Sequence, residues 1–399
     1  MKKKSFYTRR EFIKTSAKGL AAGSVVPFFN RASLVSLSDT NRKIIYRTLG
    51  RTGLKLSAVS FGIMRSDTPA LISKAIHMGI NHFDTAYSYQ GGNNEKMLGE
   101  VLKKEKARDR VVIATKVKLP RDKKTGQYTA EATKSNFIKM FEDSLKRLQT
   151  DYVDILYSQN IISAHMVFHE PVLEALTQLK KEGKVRFAGI STHAQEEEVI
   201  RETVTRDFYD VLLTAYNFKK HNREAIKAAI AAAFQKGLGI VAMKTQVRGY
   251  DASSLGISPY QACLKWVLNN SHITCAIPGM TTFNHLDENH AVMGNTDLSP
   301  REARNLGYYS KLLDGHFCHG CRECIGTCLH HLDIPEYQRA YMYYRGYNDR
   351  DRALDLVQEV AGYSCADACD SCTVCTAQCS HGIDIAGRIA ELRLLEANA

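Results

Sequence analysis

The amino-acid sequence predicts an α/β protein in which a (β/α)8 barrel of the TIM-barrel class is followed by a small cysteine-rich domain. Three observations predict this arrangement. Eight short segments rich in Val and Ile alternate with eight segments whose apolar residues recur at helical spacing. The alternation extends over about 240 residues, close to the usual length of such a barrel. Nine of the eleven cysteines lie after residue 317, which indicates a second domain there.

The bulk composition is that of an ordinary globular protein. Hydrophobic residues make up 44% of the 399 positions and charged residues make up 24%. No apolar run reaches the ~18 residues that a membrane-spanning helix needs. The net charge of +12 is concentrated in residues 1–31, which carry eight basic side chains and one acidic side chain. A basic tail explains this distribution better than a nucleic-acid surface does, so we expect no nucleic-acid partner.

Residues 1–31 resemble a twin-arginine export signal. A basic start leads into TRREFIK at Thr8–Lys14, and a mildly apolar stretch follows at Ala17–Phe29. The resemblance implies export by the twin-arginine route and a periplasmic location. Because no clean cleavage site of small residues follows, a second interpretation is an uncleaved amphipathic anchor. A third is a disordered basic tail.

Residues 42–313 are assigned to the barrel. Lys43–Leu56 alternates apolar and polar residues around Gly50–Gly53, which predicts a hairpin that closes the bottom of the barrel. The predicted strands are Ala58–Gly62, Ile80–Asp84, Val111–Lys116, Val153–Tyr157, Val185–Ile190, Val211–Ala215, Gly239–Lys244 and Ile273–Ile277. The predicted helices are Pro69–Met78, Glu95–Lys104, Ala130–Leu148, Glu170–Glu182, Glu196–Arg206, Glu224–Lys236, Ser258–Leu268 and Thr282–Met293.

Residues 314–399 form the predicted second domain. One further helix, Leu298–Leu313, leads into it and begins with Ser299-Pro300. Ile334–Ala361 is polar and rich in tyrosine, and we predict that it is mostly helical. Its interleaved Arg and Tyr residues would also suit nucleic acid, but a surface packed on the barrel is the simpler interpretation.

The stretch Ile80–Glu95, INHFDTAYSYQGGNNE, has the features of a proton donor at the mouth of a barrel. Asp84 ends an apolar strand, Tyr89 follows on the loop, and Lys116 ends the next strand. A tyrosine has an intrinsic pKa of ~10, which a nearby ammonium lowers by favouring the phenolate. Taken alone, Asp84 would be interpreted as a strand-end cap, Tyr89 as a wall residue and Lys116 as a solvated charge. The three together on adjacent strand ends indicate catalysis.

The segments FDTAYSYQGGNNEKMLG and VVIATKV resemble the signature of the aldo-keto reductase family. The similarity runs from about Arg47 to Asn289 and implies a (β/α)8 fold. It also implies that Tyr89 is the general acid, that Lys116 adjusts the pKa of Tyr89, and that Asp84 holds Lys116 in place. The substrate implied is a small carbonyl compound or the corresponding alcohol.

The chain departs from the family at the end of the fourth barrel strand, where the family has a histidine and this sequence has Gln159. A glutamine amide donates a hydrogen bond to a carbonyl oxygen, but it does not titrate or relay a proton. We therefore expect substrate orientation to be kept and proton handling to change. His165 and His169 on the following loop are alternative donors, although a surface position is the simpler interpretation of both.

The resemblance also implies a nicotinamide cofactor, NADP or NAD. Ser191 matches the residue that binds the carboxamide, and Thr192 stands where the family has Asn. At the end of the seventh strand, Met243 stands where the family often stacks an aromatic ring, and Lys244 follows it. Methionine covers a ring face by packing, but it serves equally well as core filler.

The segment AIPGMTT and the helix after it resemble the part of the family that binds pyrophosphate and adenosine. Gly279 replaces a common Lys, and His285 replaces a common Arg that binds the 2′-phosphate. Thr282 opens the helix, whose N-terminus suits a phosphate. Glu288 and Asn289 match candidate adenine contacts. These two replacements leave the choice between NADP and NAD open.

Two cysteine motifs with the same 2-2-3 spacing occur near the C-terminus. Their members are Cys318, Cys321, Cys324 and Cys328, and then Cys369, Cys372, Cys375 and Cys379. This doubled spacing resembles that of a ferredoxin with two [4Fe–4S] clusters, and also a C-terminal extension of some aldo-keto reductases. In that arrangement three cysteines of one motif share a cluster with the fourth cysteine of the other.

The ferredoxin resemblance implies one cluster on Cys318, Cys321, Cys324 and Cys379, and a second on Cys369, Cys372, Cys375 and Cys328. The proline that usually follows the fourth cysteine is Leu329 in one motif and Ser380 in the other. Zinc is the next interpretation and disulfides follow. Cys365 is outside the repeat, and Cys263 and Cys275 are read as packing residues.

Two functional hypotheses follow. The first is an exported oxidoreductase that transfers a hydride between a nicotinamide and a carbonyl or alcohol substrate. Its clusters would either pass electrons to a redox partner protein or stabilise the last 80 or so residues. The second is an electron-transfer or binding protein on a catalytically silent barrel, which the replacements at Gln159, Gly279 and His285 motivate.

Overall fold

A computed structural model describes residues 44–122, 126–246, 256, 258–312, 317–347, 349–361, 369 and 372–398. Residues 43–399 belong to one compact unit. The predicted export signal at 1–31 and Cys365 lie outside the described residues. Among the described residues, no helix combines the length and the apolar character needed to cross a membrane.

The first described elements form the predicted hairpin, β1 (Tyr46–Thr48) and β2 (Lys55–Ser57). Leu49 and Leu56 are fully buried against the inward-facing residues of the barrel strands, so the hairpin closes the bottom of the barrel. A glycine is required at position 50, because a Cβ there would lie 2.3 Å from the backbone nitrogen of Gly239.

Eight parallel strands follow and pair in chain order. They are β3 (Phe61–Gly62), β4 (His82–Asp84), β5 (Val112–Val117), β6 (Val153–Ile161), β7 (Val185–Thr192), β8 (Val211–Ala215), β9 (Gly239–Met243) and β10 (Cys275–Ala276). The sheet curls until its edge strands meet, through parallel bridges from Val59 to Ala276 and from Gly62 to Gly279. The predicted barrel architecture is therefore confirmed.

Helices separate the strands as predicted. In the barrel they are α1 (Pro69–His77), α2 (Asn93–Lys104), α3 (Lys134–Leu148), α4 (Glu170–Lys181), α5 (Glu196–Thr203), α6 (Arg223–Gln235), α7 (Pro259–Leu268) and α8 (Phe283–His290). Their apolar faces cover the outside of the sheet in one continuous core.

Several predicted boundaries were wrong. The fourth barrel strand, β6, runs on from the predicted end at Tyr157 to Ile161, so that Gln159 lies within the strand. Its register with β7 shifts between Ser158 and Ile161, which allows the ladder to continue. The predicted helix from Ala130 begins only at Lys134, because the Thr133 side chain caps it by accepting a hydrogen bond from Asn136 N.

The segment Ile334–Ala361 is mostly helical, as predicted, whereas the helix near the C-terminus was not predicted; together they form a small core of their own. The helices of the C-terminal part are α9 (Pro300–Leu312), α10 (Ile334–Tyr341), α11 (Arg350–Ala361) and α12 (Ile385–Ala397). A π-helical turn, Met342–Gly346, extends α10. Two contacts place this part over the mouth of the barrel. Arg65 Nε lies 3.0 Å from Asp349 Oδ2, and Gln195 Nε2 donates to the Cys321 carbonyl at 3.4 Å.

Candidate active site at the mouth of the barrel

The centre of the site is a buried ion pair at two adjacent strand ends. Asp84 is the last residue of β4, and Lys116 lies near the end of β5. Lys116 Nζ donates to Asp84 Oδ1 and, at 2.6 Å, to the Thr85 carbonyl. Burial lowers the pKa of Lys116, but the attraction of Asp84 and Tyr89 raises it above its usual value. Lys116 is therefore a fixed positive charge, held by Asp84 as the sequence predicts.

Replacing Asp84 by Asn should destabilise the protein strongly. Asn keeps the shape but leaves the Lys116 cation buried without its counter-charge, so we expect a loss of about 3–5 kcal/mol in the free energy of unfolding. Urea denaturation of Asp84→Asn measures this loss. The double variant Asp84→Asn/Lys116→Met removes the stranded charge and should recover most of it. A single variant within about 1 kcal/mol of wild type would show that the pair is solvated.

Tyr89 lies beside this pair. It opens the short turn Tyr89–Gly92, and Gln90 fixes the turn by donating from Nε2 to the Met64 and Ser66 carbonyls. Lys116 Nζ lies 5.1 Å from the centre of the Tyr89 ring. The structure thus brings Asp84, Tyr89 and Lys116 together at one strand edge, as predicted.

The predicted direction of the Tyr89 pKa was wrong. Burial raises it, Lys116 lowers it, and Asp84 and Tyr343 raise it further, so the pKa stays above the ordinary value. The prediction included the attraction between the Lys116 ammonium and the phenolate, but it could not include the burial of Tyr89, which removes the water that would solvate the phenolate. Tyr89 is therefore fully protonated at neutral pH, which is the state that a proton donor requires.

A second buried carboxylate, that of Glu95, helps to hold the loop that carries Tyr89. Its Oε1 accepts from Thr115 Oγ1 at 2.7 Å, and its Oε2 accepts from Arg147 Nη1 at 3.3 Å. The same Arg147 nitrogen donates to the Tyr87 carbonyl at 2.8 Å. These contacts join the Tyr89 loop to β5 and α3. This role of Glu95 was not predicted, although a carboxylate shortly after two glycines was a visible signal in the sequence.

Three buried polar atoms face the site without a hydrogen-bond partner among the described residues: Asp84 Oδ2, Tyr157 OH and Gln159 Oε1. Tyr157 is fully buried, and its ring is 5.9 Å from Lys116 Nζ. Its ring fits because position 189 is glycine; a Cβ there would lie 2.3 Å from it. Buried polar atoms are normally paired, so this group fits a polar ligand.

Neither loop histidine replaces the missing family histidine. His165 is exposed. The His169 ring stacks on Tyr128 at 4.1 Å, and its Nε2 pairs with the Ala132 carbonyl at 2.9 Å. His169 thus has partners of its own and His165 faces solvent, so Gln159 stays the predicted residue at that position.

The residues predicted to hold the nicotinamide lie at the ends of β7 and β9. Ser191 Oγ accepts from Asn160 N at 3.0 Å and keeps its own hydrogen for donation. The Thr192 hydroxyl already has partners within the protein, since its Oγ1 donates to the Ile161 and Ala194 carbonyls. Asn160 was not predicted, yet its Oδ1 is a buried acceptor without a partner among the described residues.

At the end of β9, Met243 is partly buried against the residues that fill the barrel, which agrees with its interpretation as core filler. Lys244 follows with a positive φ of 53°. Its Nζ lies 5.6 Å from the ring centre of Tyr343. Tyr343 comes from the π-helical turn of the C-terminal part, and no sequence pattern predicted its position here.

The predicted phosphate segment opens α8. Thr282 is the N-cap residue, and its side chain accepts from His285 N at 3.2 Å. His285 Nδ1 lies 3.1 Å from Thr281 Oγ1. Open space surrounds Gly279, where a Cβ would find only Arg65 Cδ at 4.0 Å. Arg65 is thus a cation next to the position where the family often has Lys.

The two candidate adenine contacts already have protein partners. Glu288 Oε1 accepts from Ser258 Oγ, and Asn289 Oδ1 accepts from Gln246 Nε2 at 2.6 Å. Glu288 therefore binds the end of the β9–α7 loop that adjoins α7, and Asn289 binds the end that follows β9. Their role toward adenine stays a prediction.

One of the two cysteine sets that the ferredoxin resemblance implies lies together in the structure; the second set stays a prediction. One pocket is lined by the thiols of Cys318, Cys321, Cys324 and Cys379. Burial raises the pKa of Cys324 to about 12, and repulsion from the other three thiols contributes. Four soft donors around one pocket fit an iron–sulfur cluster.

The second motif lies alongside the first. Thr327 Oγ1 accepts from Gln378 N at 3.1 Å, and Leu329 N donates to Thr376 Oγ1 at 3.2 Å. Cys369 packs in the same small core as Cys328. Cys263 and Cys275 are buried in the barrel, as predicted for packing residues.

The chain matches the model of the aldo/keto reductase family over residues 54–250. It is 29% identical to the L-galactose dehydrogenase of Arabidopsis thaliana over 311 residues, covering 68% of this chain and 95% of that protein. Identity to the L-glyceraldehyde 3-phosphate reductase of Escherichia coli K12 is 25%, covering 65% and 91%.

Among solved structures, an aldo-keto reductase from Bacillus halodurans in its holo form superposes with a TM-score of 0.55. The identity is 22%, so this match shows the fold alone, over 67% of this chain and 96% of that one. The fold, the strand-end residues and the relatives agree. The chain belongs to the aldo/keto reductase family and carries the barrel of a NAD(P)-dependent oxidoreductase.

Proposed function

We propose that the protein interconverts a small carbonyl compound and its alcohol, with Tyr89 as the general acid and base. The observation that carries the proposal is the convergence of Tyr89, Lys116 and Asp84 at adjacent strand ends. A nicotinamide held at the ends of β7 and β9, near Ser191 and Met243, would supply or accept the hydride. In the reducing direction the carbonyl oxygen gains negative charge and needs a proton, which Tyr89 donates.

Lys116 acts after that proton has left. The phenolate of Tyr89 is costly in a buried site, and the fixed charge of Lys116 stabilises it. Asp84 positions Lys116 and keeps it charged. In the oxidising direction the same phenolate accepts the alcohol proton, so one residue serves both directions.

Gln159 takes the place of a titrating group, and this gives the enzyme a distinctive pH profile. We expect the wild-type kcat for carbonyl reduction to be flat between about pH 6 and 8, since the Tyr89 pKa lies far above this range. In Gln159→His, kcat should instead change with pH around the ordinary histidine pKa of ~6.5. Steady-state rates across this range measure the change. A wild-type profile that already bends near pH 6.5 would contradict the assignment.

We infer that the enzyme accepts both nicotinamide cofactors with little preference for NADP. Gly279 and His285 remove two cations that would favour the 2′-phosphate. Arg65 remains near Gly279, but it is paired with Asp349. Titration of the full chain with NADPH and with NADH, followed by nicotinamide fluorescence, tests this inference. Tight binding of NADPH alone would overturn it, and binding of neither would favour a catalytically silent barrel.

We further propose two [4Fe–4S] clusters, on the crossed cysteine sets given above. Their thiolates would hold iron; the clusters would supply one-electron transfer to a redox partner or rigidity to the C-terminal part. Export by the twin-arginine route, which transports folded proteins, is part of the same proposal. An exported enzyme would carry its nicotinamide bound.

A further inference from the structure

A cavity of about 280 Å³ lies between the mouth of the barrel and the cysteine-rich part. Its barrel side includes Ile162, Ala194 and Ala215, at or just beyond the ends of β6, β7 and β8. Its other side includes Phe317 and Met342. The volume and the mixed lining are those of a site for a small organic ligand.

The charged residues of this cavity are nearly all cationic. Those in the lining are Lys219, Lys220, Arg223, Lys244, Arg322 and Arg339, against the single carboxylate of Glu336. Arg339 is paired with Glu336, and Lys220 is paired with Glu196. Among the described residues, neither Lys244 nor Arg322 forms an ion pair within 4 Å, and the carboxylates on which Arg322 acts, by lowering the pKa, are Asp333 and Glu336.

The surrounding groups respond to this excess of positive charge. Burial lowers the pKa of Lys244, and repulsion from Arg339 and Lys220 lowers it further, against an opposing contribution from Tyr343. Burial and the same cations hold the pKa of His193, also in the lining, well below its usual value. An anion in the cavity would relieve this repulsion.

We propose that this cavity binds an anionic group of the substrate, so that the preferred carbonyl compounds carry a carboxylate or a phosphate. The inference rests on the proposed function. Tyr343 is a common neighbour of the cavity and the catalytic group: its ring centre lies 5.6 Å from Lys244 Nζ in the cavity lining, and it contributes to the raised pKa of Tyr89. Arg322 offers a planar donor suited to carboxylate and phosphate oxygens. The apolar lining suits the carbon skeleton between anion and carbonyl.

The test compares 4-carboxybenzaldehyde with its neutral methyl ester, a matched pair of aldehydes. We expect wild type to prefer the acid by about tenfold or more in kcat/KM. Arg322→Asn should remove most of that preference by weakening the acid alone. Asparagine is chosen because Arg322 has a φ of 66°, which asparagine tolerates. Arg304→Asn, on an exposed position of α9, is the matched control and should behave as wild type.

Equal kcat/KM for acid and ester in wild type would overturn the inference while leaving the proposed function standing. So would an unchanged preference in an Arg322→Asn protein with wild-type iron content and thermal stability. Calorimetry with inorganic phosphate gives a readout apart from turnover. Phosphate that competes with the acid, and whose binding Arg322→Asn abolishes, supports the site. Phosphate that binds without competing shows an anion site separate from the substrate and overturns the assignment.

If neither aldehyde is reduced, the proposed function fails on its own. Phosphate binding lost in Arg322→Asn and kept in Arg304→Asn would still support the anion site. No phosphate binding in wild type would then overturn the inference as well.

Discussion

Tyr89→Phe should lower kcat for carbonyl reduction by about 10²–10⁴-fold, the usual contribution of a general acid. The variant removes only the phenol oxygen, so the proton for the developing alkoxide must come from water. Binding of NADPH or NADH should be unchanged, because the predicted cofactor residues lie at the ends of other strands. Steady-state kinetics and nicotinamide fluorescence measure the two effects on one preparation.

The control for this variant is Tyr87→Phe, two residues earlier on the same loop. The Tyr87 ring lies 4.4 Å from the Arg147 guanidinium and packs on the supporting network instead of Lys116. We expect this variant to keep near-wild-type kcat. A Tyr89→Phe enzyme that turns over at the wild-type rate would remove Tyr89 from the mechanism and favour the silent barrel.

Cys324→Ser should lower the iron content of anaerobically purified protein by about half, because serine is a poor ligand for iron–sulfur clusters. Cys324 and Cys328 are both buried in the small core of the C-terminal part, so we also expect lower thermal stability. Iron analysis and the visible absorption of the clusters provide the readouts.

Cys263→Ser is the matched control, since Cys263 is also buried but lies in α7 of the barrel. It should leave the iron content unchanged. Stoichiometric zinc without iron in the wild-type protein would contradict the cluster assignment, and so would full iron in Cys324→Ser.

Much of the barrel could be predicted because its signals are local. Strands buried on both faces show as short runs of Val and Ile, and the helices between them show a 3.6-residue period. The boundaries that failed depend on tertiary contacts. β6 continues past Tyr157 because its ladder with β7 shifts register, and no single-sequence pattern encodes that shift.

The residues of the site that belong to a recognisable motif could be predicted from the sequence. Those that distant segments bring to the site could not. Asp84, Tyr89 and Lys116 lie within a short stretch whose spacing is specific. Tyr343 reaches the same place from the far end of the chain, on a segment without a readable pattern. The pKa of Tyr89 was misjudged for a related reason, since burial is a property of the fold and not of the motif.

The most direct test of hydride transfer is to follow the hydrogen itself. Wild-type protein would be incubated anaerobically with 4-carboxybenzaldehyde and NADPH or NADH carrying deuterium at the transferable C4 position. Mass spectrometry of the alcohol then counts the label. Reduction by hydride transfer predicts one deuterium on the carbinol carbon, and about 10²–10⁴-fold less of this labelled alcohol from Tyr89→Phe at the same time point. An alcohol whose new hydrogen comes from solvent would instead indicate electron delivery through the cysteine-rich part.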